Sequence, residues 1–227
     1  MQRSFHPEIL DGDDVPEESV ARAYREITTI HRLLGDTRCL THALRRDRLP
    51  IRRVLDVGCG RGGILEQVTG VLGVEGLGVE ISPLVTASSG KFTAILKADA
   101  VRDRLPEADV AYALHVAHHL SSSDLIQMIR NVGGSCRRFI LLDLVRSRVP
   151  LALFRTFIAP FISPIAAADG QTSVRRAYTP PELNSLVAEA LAGTNASFHH
   201  SVAPFGMRQV VDISYAANGN PQAQSKS

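Results

Sequence analysis

Short apolar runs alternate with helix-compatible stretches between residues 52 and 144, and this alternation constrains the fold more than any other feature. The apolar runs are RRVLDVG (52–58), GLGVEIS (76–82), FTAILKAD (92–99), ADVAYAL (108–114) and RFILLDL (138–144). Each run has the length and composition of a buried strand. Because helix-compatible stretches separate the strands, at 61–72, 83–90 and 121–132, the strands are expected to lie parallel with right-handed crossovers. The sequence therefore predicts an α/β fold.

Further elements flank this core, and a chain of 227 residues suits a single domain. Apolar side chains recur at helical spacing over 15–34, and a second short helix is expected over 37–48. The last two β-like runs, ASFHHSVA and RQVVDISYA, are expected to form an antiparallel edge hairpin. The expected arrangement is an N-terminal helical cap (1–50), a sheet-forming core (51–145), a lid (146–178), a C-terminal helix with edge strands (179–215) and a flexible polar tail (216–227).

Charge and cysteine content limit the partners and the compartment. With 25 basic and 23 acidic residues, the formal net charge is +2, so no nucleic-acid partner is expected. The three cysteines, Cys39, Cys59 and Cys136, show no C-x-x-C spacing, and neither a disulfide framework nor a cysteine zinc site is expected. We expect a cytoplasmic protein that is a monomer or a homodimer.

The longest apolar stretch is LALFRTFIAPFISPIAAA (151–168). It is interrupted by Arg155, Pro160 and Pro164, so an integral membrane segment is not expected. Two interpretations stay open for this stretch. It is either a lid over a binding site or a helix that packs in the core.

The stretch VLDVGCGRGG (54–63) joins the first predicted strand to a predicted helix, and its glycines Gly58, Gly60 and Gly63 satisfy the dinucleotide-binding pattern G-x-G-x-x-G. The free N–H groups of such a turn favour a pyrophosphate. Asp56, however, occupies a position where that pattern keeps an apolar strand residue. A carboxylate there favours a ligand without phosphates, such as S-adenosylmethionine, which carries a sulfonium and an amino-acid head.

The sequence D-V-G-C-G-R-G (56–62) resembles the first motif of class I S-adenosylmethionine-dependent methyltransferases. That family places an acidic residue at the end of the second strand and an aspartate after the third, and Glu80 and Asp99 match these places. The resemblance implies a Rossmann-like, doubly wound, mostly parallel seven-stranded sheet with S-adenosyl-L-methionine as the cofactor. The cofactor-binding residues that it implies are Asp56, Gly58, Cys59, Gly60, Glu80, Ile81, Asp99 and Ala100. For Cys59, a small residue fits the turn and the thiol needs no role.

Beyond the core the likeness is narrower. The stretches DLVRS (143–147) and DGQTSVRRAYTPPEL (169–183) resemble small bacterial methyltransferases associated with type III polyketide synthases and, more distantly, quinone-biosynthesis methyltransferases. This resemblance implies a role in secondary metabolism and a phenolic or quinone-like acceptor, with or without a lipid tail.

Three histidines follow the fourth predicted strand in H-V-A-H-H (115–119). A phenol has a pKa near 10, so its methylation at neutral pH benefits from a base, and histidine matches that task best. His115 is the first candidate for the catalytic base and His119 the second, although a structural role stays open for each. No metal site is expected, because no carboxylate lies at ligand spacing within the cluster.

Asp143, Arg146 and Arg176 are candidates for binding a polar group of the substrate, since a guanidinium matches carboxylate geometry. The alternative is an internal salt bridge between lid and sheet, and this alternative is favoured.

The leading hypothesis is a methyltransferase that uses S-adenosylmethionine and methylates an oxygen of a small phenolic or quinone-like molecule. A carbon or nitrogen acceptor stays open. Two other functions also stay open: an NAD(P)-dependent oxidoreductase, which the G-x-G-x-x-G match supports, and a non-catalytic protein that only binds the cofactor.

Overall fold

The computed structural model describes residues 1–12, 15–82 and 93–215. They form a seven-stranded sheet with the order β3-β2-β1-β4-β5-β7-β6. The first five strands pair in parallel, whereas β7 lies antiparallel to both β5 and β6. The strands are β1 (Arg53–Val57), β2 (Glu75–Glu80), β3 (Thr93–Lys97), β4 (Val110–Leu114), β5 (Arg138–Leu144), β6 (Ser197–Val202) and β7 (Arg208–Ser214).

Helices cover both faces of this sheet. They are α1 (Glu17–Leu33), α2 (Asp36–Arg45), α3 (Gly63–Leu72), α4 (Ser122–Gly133), α5 (Arg148–Phe157), α6 (Pro164–Arg176) and α7 (Pro180–Leu191). Short 3₁₀ turns occupy Ile9–Asp11 and Ala117–His119, among others. The predicted Rossmann-like, mostly parallel sheet with an antiparallel edge hairpin is confirmed. The helix expected over 83–90, the start of the third strand and the tail at 216–227 lie outside the described residues.

Alternate side chains of the central strands build two hydrophobic cores, one on each face of the sheet. Phe139 and Leu141 of β5 belong to the core that α4 and α7 cover, whereas Tyr112 and Ile140 belong to the core that α2 and α3 cover. All four side chains are fully buried. A strand buried on both faces needs a continuous apolar run, which explains the composition of RFILLDL.

The apolar stretch 151–168 divides into two helices. Pro164 occupies the first turn of α6, where its missing N–H costs nothing, and the Ser163 side chain accepts a hydrogen bond from the Ala166 amide at 3.4 Å. The break between α5 and α6 therefore has a local cause in the sequence. Among the described residues, no helix has the length and apolarity that crossing a membrane requires.

The strands β1 and β4 are neighbours at the centre of the sheet, where the strand order reverses. The next strand beyond β1 is β2, and the next strand beyond β4 is β5. In open parallel sheets, the carboxyl ends of the strands at such a reversal form a crevice that binds ligands. The fold thus places the turn after β1 and the segment after β4 on either side of one crevice.

Candidate functional site

A cavity of about 1010 Å³ lies over the carboxyl ends of the central strands. Its walls include the turn between β1 and α3, the ends of β2 and β4, one side of α1 and part of α6. The eight residues expected to bind a cofactor all line this one cavity: Asp56, Gly58, Cys59, Gly60, Glu80, Ile81, Asp99 and Ala100. The structure therefore brings together residues that are spread along the chain from Asp56 to Ala100.

The turn after β1 is held tightly against β2. The amides of Gly58 and Cys59 both donate to the carbonyl oxygen of Val79, at 2.8 and 3.1 Å. Gly58 has a φ of +74°, and a Cβ there would lie 2.6 Å from Cγ2 of Val116. Only glycine satisfies both the left-handed backbone and this close approach.

Asp56 ends β1 beneath the turn, where its side chain is buried with 2 % of its surface exposed. The hydroxyl of Tyr112 on β4 donates a hydrogen bond to its carboxyl at 3.0 Å. Burial raises the pKa of Asp56 to about 7, because the interior disfavours the charged form. A cationic ligand group in the cavity would favour ionisation of this carboxyl.

Glu80 ends β2 and ties the same turn to the next strand. One carboxylate oxygen accepts from the amide of Gly60 at 2.8 Å, and the other accepts from Ile81 and Ser82 at 2.9 and 3.0 Å. The Gly60 amide of the glycine turn therefore faces a carboxylate. This arrangement differs from a turn whose amides are all available to a phosphate.

Asp99 and Ala100 lie on the cavity wall after β3. Asp99 accepts from the Val101 amide at 2.8 Å and from the Arg102 guanidinium at 2.6 Å, and the Ala100 carbonyl accepts from Asn131 at 2.9 Å. Asp99 thus shapes a turn in addition to facing the cavity.

Burial raises the pKa of the Cys59 thiol, which keeps the thiol protonated and unreactive.

His115 follows β4 directly, with a φ of 57°, and contacts two carboxylates. Its Nε2 lies 3.2 Å from Oδ2 of Asp36, and its Nδ1 is buried without a hydrogen-bond partner, 3.7 Å from Oδ1 of Asp143. Its ring stacks on His31 with centroids 4.3 Å apart. Burial opposes protonation, but the Asp143 and Asp36 carboxylates outweigh it, so the pKa of His115 is raised.

His118 and His119 lie in the next turn and face the N-terminal segment. Nδ1 of His118 lies 2.7 Å from Oδ1 of Asp143, and its Nε2 lies 3.6 Å from Oε1 of Glu8. His119 Nε2 lies 3.8 Å from the other oxygen of Glu8, and its Nδ1 lies 3.4 Å from Asp11. Burial opposes the protonation of His118, but the carboxylates of Asp143 and Glu8 raise its pKa to about 10.

The histidines and carboxylates come from distant parts of the chain. We expected no metal site because no carboxylate lies beside the histidines in sequence, and the structure corrects that premise. Two groups, Glu8 with His118 and His119, and Asp36 with His31 and His115, each hold their possible ligand atoms within 4.8 Å of one another. No local pattern marks Glu8 or Asp36 as a partner of the histidines, since Asp36 and His115, for example, are 79 positions apart.

The three residues expected to bind substrate do not line the cavity, and the favoured alternative describes them better. Asp143 is buried against His118, whose amide and ring both bond to it. Arg146 pairs with Glu182 at 2.6 Å, and Arg176 pairs with Asp11 at 2.8 Å. Both guanidiniums are occupied internally, which supports the salt-bridge alternative, and substrate binding by Arg146 and Arg176 stays a prediction. Asp143 acts on the cavity through the histidine that lines it.

The sequence matches no protein-family model and no curated protein. Solved structures do share the fold. The plantazolicin methyltransferase BpumL in complex with SAH is 12% identical over 91% of this chain and 93% of its own, with a TM-score of 0.69. The methyltransferase domain of bacterial CtHen1-C is 15% identical over 81% and 98%, with a TM-score of 0.60. Magnesium protoporphyrin IX methyltransferase (ChlM) from Synechocystis PCC 6803, with bound SAH, is 16% identical over 91% of both chains, with a TM-score of 0.55.

These neighbours are methyltransferases, and this chain has their fold. The likeness is one of architecture, as the identities of 12 to 16% indicate. The narrower resemblance to methyltransferases associated with type III polyketide synthases stays a prediction.

Proposed function

We propose that this protein is an S-adenosylmethionine-dependent methyltransferase that acts on an oxygen of a small phenolic or quinone-like acceptor. The observation that carries the proposal is the pair of carboxylates on the glycine turn. Asp56 lies beneath the turn and Glu80 accepts from the Gly60 amide, and both line the cavity at the strand reversal. Glu80 suits ribose hydroxyls, which a dinucleotide also carries, whereas Asp56 beneath the turn disfavours a pyrophosphate and suits a cationic amino-acid head.

The residues of the cavity fit this cofactor in separate roles. Glu80 would accept hydrogen bonds from ribose hydroxyls, Asp56 would compensate the positive charge of the amino-acid head, and Asp99 with Ala100 would lie beside the adenine. When bound, the cofactor would supply a methyl group activated by its sulfonium, and a neutral thioether would be the leaving group when the methyl group passes to the acceptor. The protein's own task is then to hold the acceptor in line and to exclude water.

His115 is the base that we propose for the acceptor hydroxyl. It lines the cavity directly after β4, and Asp36, at hydrogen-bond distance from Nε2, fixes its ring. His119 is the second candidate, since it also lines the cavity and is more exposed. Both histidines lie on the opposite side of the strand reversal from the glycine turn.

The acceptor end of the cavity is bounded by apolar side chains of the lid. Phe154 of α5 and Ala166 and Val174 of α6 line the cavity. Phe157 and Phe161, near the end of α5, have 66 and 82 % of their surface exposed. An apolar wall with histidines at one end suits an aromatic ring with a hydroxyl, and the exposed phenylalanines suit a lipid tail.

The cofactor is tested by calorimetric titration of the purified protein with S-adenosylhomocysteine, with NADH and NADPH as parallel ligands. We expect micromolar binding of S-adenosylhomocysteine and no heat from the nicotinamides. Glu80→Ala should weaken the binding by about 1 to 3 kcal/mol, because the turn and the ribose lose their acceptor. Glu75→Ala, at the opposite end of the same strand, is the matched control and should leave binding unchanged.

Binding of a nicotinamide without S-adenosylhomocysteine would replace this proposal with the oxidoreductase alternative. Turnover is tested by incubating the protein with S-adenosylmethionine and a panel of phenols and quinols, followed by mass spectrometry. His115→Ala should retain S-adenosylhomocysteine binding and lower the rate by about 10² to 10⁴, whereas His199→Ala on β6 should not change it. Binding without turnover on any acceptor of the panel would favour a non-catalytic cofactor-binding protein.

A further inference from the structure

Glu8, His118 and His119 form a cluster whose spacing does not match hydrogen bonding. Nε2 of His118 and Nε2 of His119 lie 3.6 and 3.8 Å from the two oxygens of Glu8. These distances exceed the range of an N–H···O hydrogen bond. They lie near the edge of a tetrahedron with metal–ligand bonds of about 2.1 Å, which is about 3.4 Å. One possible ligand atom from each of the three residues lies within 4.8 Å of the other two, so a single cation could contact all three groups.

The second cluster, Asp36 with His31 and His115, differs from the first because its groups are hydrogen-bonded to one another. Asp36 lies 3.0 Å from Nδ1 of His31 and 3.2 Å from Nε2 of His115, which are ordinary hydrogen-bond distances. The two rings are stacked, and Asp36 is also paired with the Arg208 guanidinium. A carboxylate that is already shared by two histidines and an arginine has no free oxygen for a cation. This cluster is an orienting network, not a metal site.

The partners of the first cluster hold its ligand atoms toward that point. Oδ1 of Asp143 lies 2.7 Å from Nδ1 of His118, so Nδ1 carries a proton for Asp143, and Nε2, on the Glu8 side, is the ring atom that would exchange its proton for a metal ion. The hydroxyl of Ser173 donates to Oε1 of Glu8 at 2.8 Å. A carboxylate behind a ligating histidine is the usual outer support of a metal site. Asp143 thereby acquires a role that its burial alone does not explain.

The charges and the access also suit a cation. His119 keeps 32 % of its side chain exposed, and all three residues line the cavity, at the histidine end that we assign to the acceptor. Asp11 lies 3.4 Å from His119 and adds a second negative charge. The positive charge of Arg176 lies 4.0 Å from Glu8 and would repel a bound cation. This charge is partly neutralised, because the guanidinium is paired with Asp11 at 2.8 Å.

We propose that Glu8, His118 and His119 bind one divalent transition-metal ion of the zinc class at the acceptor end of the cavity. Two imidazoles and one carboxylate are a ligand set of catalytic zinc sites, in which a remaining position is open to water or substrate. All three residues line the cavity, so an open position of the ion would be accessible to an acceptor oxygen. The inference rests on the proposed function for this last role, whereas the binding of the ion does not depend on it.

The test is calorimetric titration of the chelator-treated, full-length protein with Zn²⁺, and titration with Co²⁺ followed by visible absorption. The wild type should bind one Zn²⁺, and Co²⁺ should develop the visible bands of a tetrahedral or five-coordinate site. His119→Gln and Glu8→Gln should each weaken Zn²⁺ binding by at least about 100-fold. Asp143→Asn should weaken it by about 10- to 100-fold, as outer-shell changes do.

Two histidine variants are the controls. His31→Gln removes a member of the other cluster, and His199→Gln removes a histidine on β6 outside the cavity. Both should bind Zn²⁺ as the wild type does. Far-ultraviolet circular dichroism of each variant shows whether it is folded, and His119→Gln carries the test if Glu8→Gln unfolds, because His119 is partly exposed.

Zn²⁺ binding by His119→Gln as tight as by the wild type would overturn the proposal, as would loss of the Zn²⁺ site in His31→Gln with retention in His119→Gln. The same preparations are titrated with S-adenosylhomocysteine. Failure of S-adenosylhomocysteine binding with intact Zn²⁺ binding refutes the proposed function alone, and the reverse result refutes the metal site alone.

Discussion

Replacing Asp56 by asparagine should stabilise the free protein at alkaline pH, although the same change should weaken cofactor binding. The Asp56 side chain is buried at the end of β1, and burial raises its pKa to about 7 from an ordinary value of 3.8. In the unfolded chain this carboxyl ionises near pH 4. In the folded chain it stays protonated until about pH 7. Above pH 4, ionisation of Asp56 therefore favours the unfolded state.

The magnitude follows from these two pKa values. A carboxyl whose folded pKa is raised costs no stability below its unfolded pKa, and the cost grows with pH until the folded pKa is passed. Between 3.8 and about 7, at about 1.4 kcal/mol per pH unit, the cost is about 2 kcal/mol at pH 5 and about 4 kcal/mol at pH 8. Asparagine removes the ionisable group but keeps an oxygen that accepts from the Tyr112 hydroxyl. The gain should therefore be near zero at pH 4 and largest at pH 8.

The assay is urea unfolding of the wild type and of Asp56→Asn, followed by circular dichroism at several pH values from about 4 to 8. The measured quantity is the difference between the two free energies of unfolding at each pH, which removes the pH dependence of all other groups. Glu107→Gln, at an exposed position, is the control and should change stability by no more than about 0.5 kcal/mol at any pH. A difference for Asp56→Asn that stays constant with pH would refute the reasoning, because it would mean that burial does not raise this pKa.

The remaining predictions concern the glycine turn and its supports. Gly58→Ala should destabilise the protein by about 2 to 4 kcal/mol and abolish S-adenosylhomocysteine binding, since the new Cβ would meet Val116 at 2.6 Å and the backbone is left-handed. Gly73 has a similar φ of +68°, and a Cβ there would have no atom within 4 Å. Gly73→Ala therefore measures the cost of the left-handed backbone alone and should lower the free energy of unfolding by only about 1 to 2 kcal/mol. Equal losses for the two variants in urea unfolding would contradict the close contact at Gly58. Binding of S-adenosylhomocysteine should weaken as the pH falls below about 7, because Asp56 becomes protonated. The measurement is calorimetric titration at several pH values and constant ionic strength. A binding affinity that does not change with pH would show that Asp56 is not involved. Tyr112→Phe removes the hydrogen bond to Asp56, so it should raise the pKa of Asp56 further and move the midpoint of that profile to higher pH.

Much of the sheet could be predicted from the sequence, because local patterns decide where strands and helices lie. The five apolar runs correspond to β1 to β5, and the two late runs form the edge hairpin β6 and β7. The break in the lid also has a local signal in Pro164 and its capping residue Ser163. Boundaries moved by a few residues, as with β2, which ends at Glu80 rather than at residue 82.

The glycine turn was predicted for the same reason. The turn residues and Asp56 are consecutive, so backbone geometry alone places them together once the strand and the helix are known. The resemblance to methyltransferases added Glu80 and Asp99, and the structure brings both to the same cavity wall. Parallel strands all end at the same edge of the sheet, and this is why residues at the ends of successive strands could be assigned to one site.

The histidine cluster shows where sequence reasoning ends. Which histidine is paired with which carboxylate depends on how the N-terminal segment and α2 pack over the sheet, and that packing is a long-range property of the whole chain. Glu8 and Asp36 carry no local mark that distinguishes them from other acidic residues, and Arg146 and Arg176 carry none that distinguishes an internal ion pair from a substrate contact. The sequence by itself determined the strands, the glycine turn and the residues at the strand ends, because these follow from local periodicity and from the common edge at which parallel strands end. Only the tertiary structure decided the partners, burial and pKa of the charged groups, because electrostatic interactions depend on distances between residues that lie far apart in the chain.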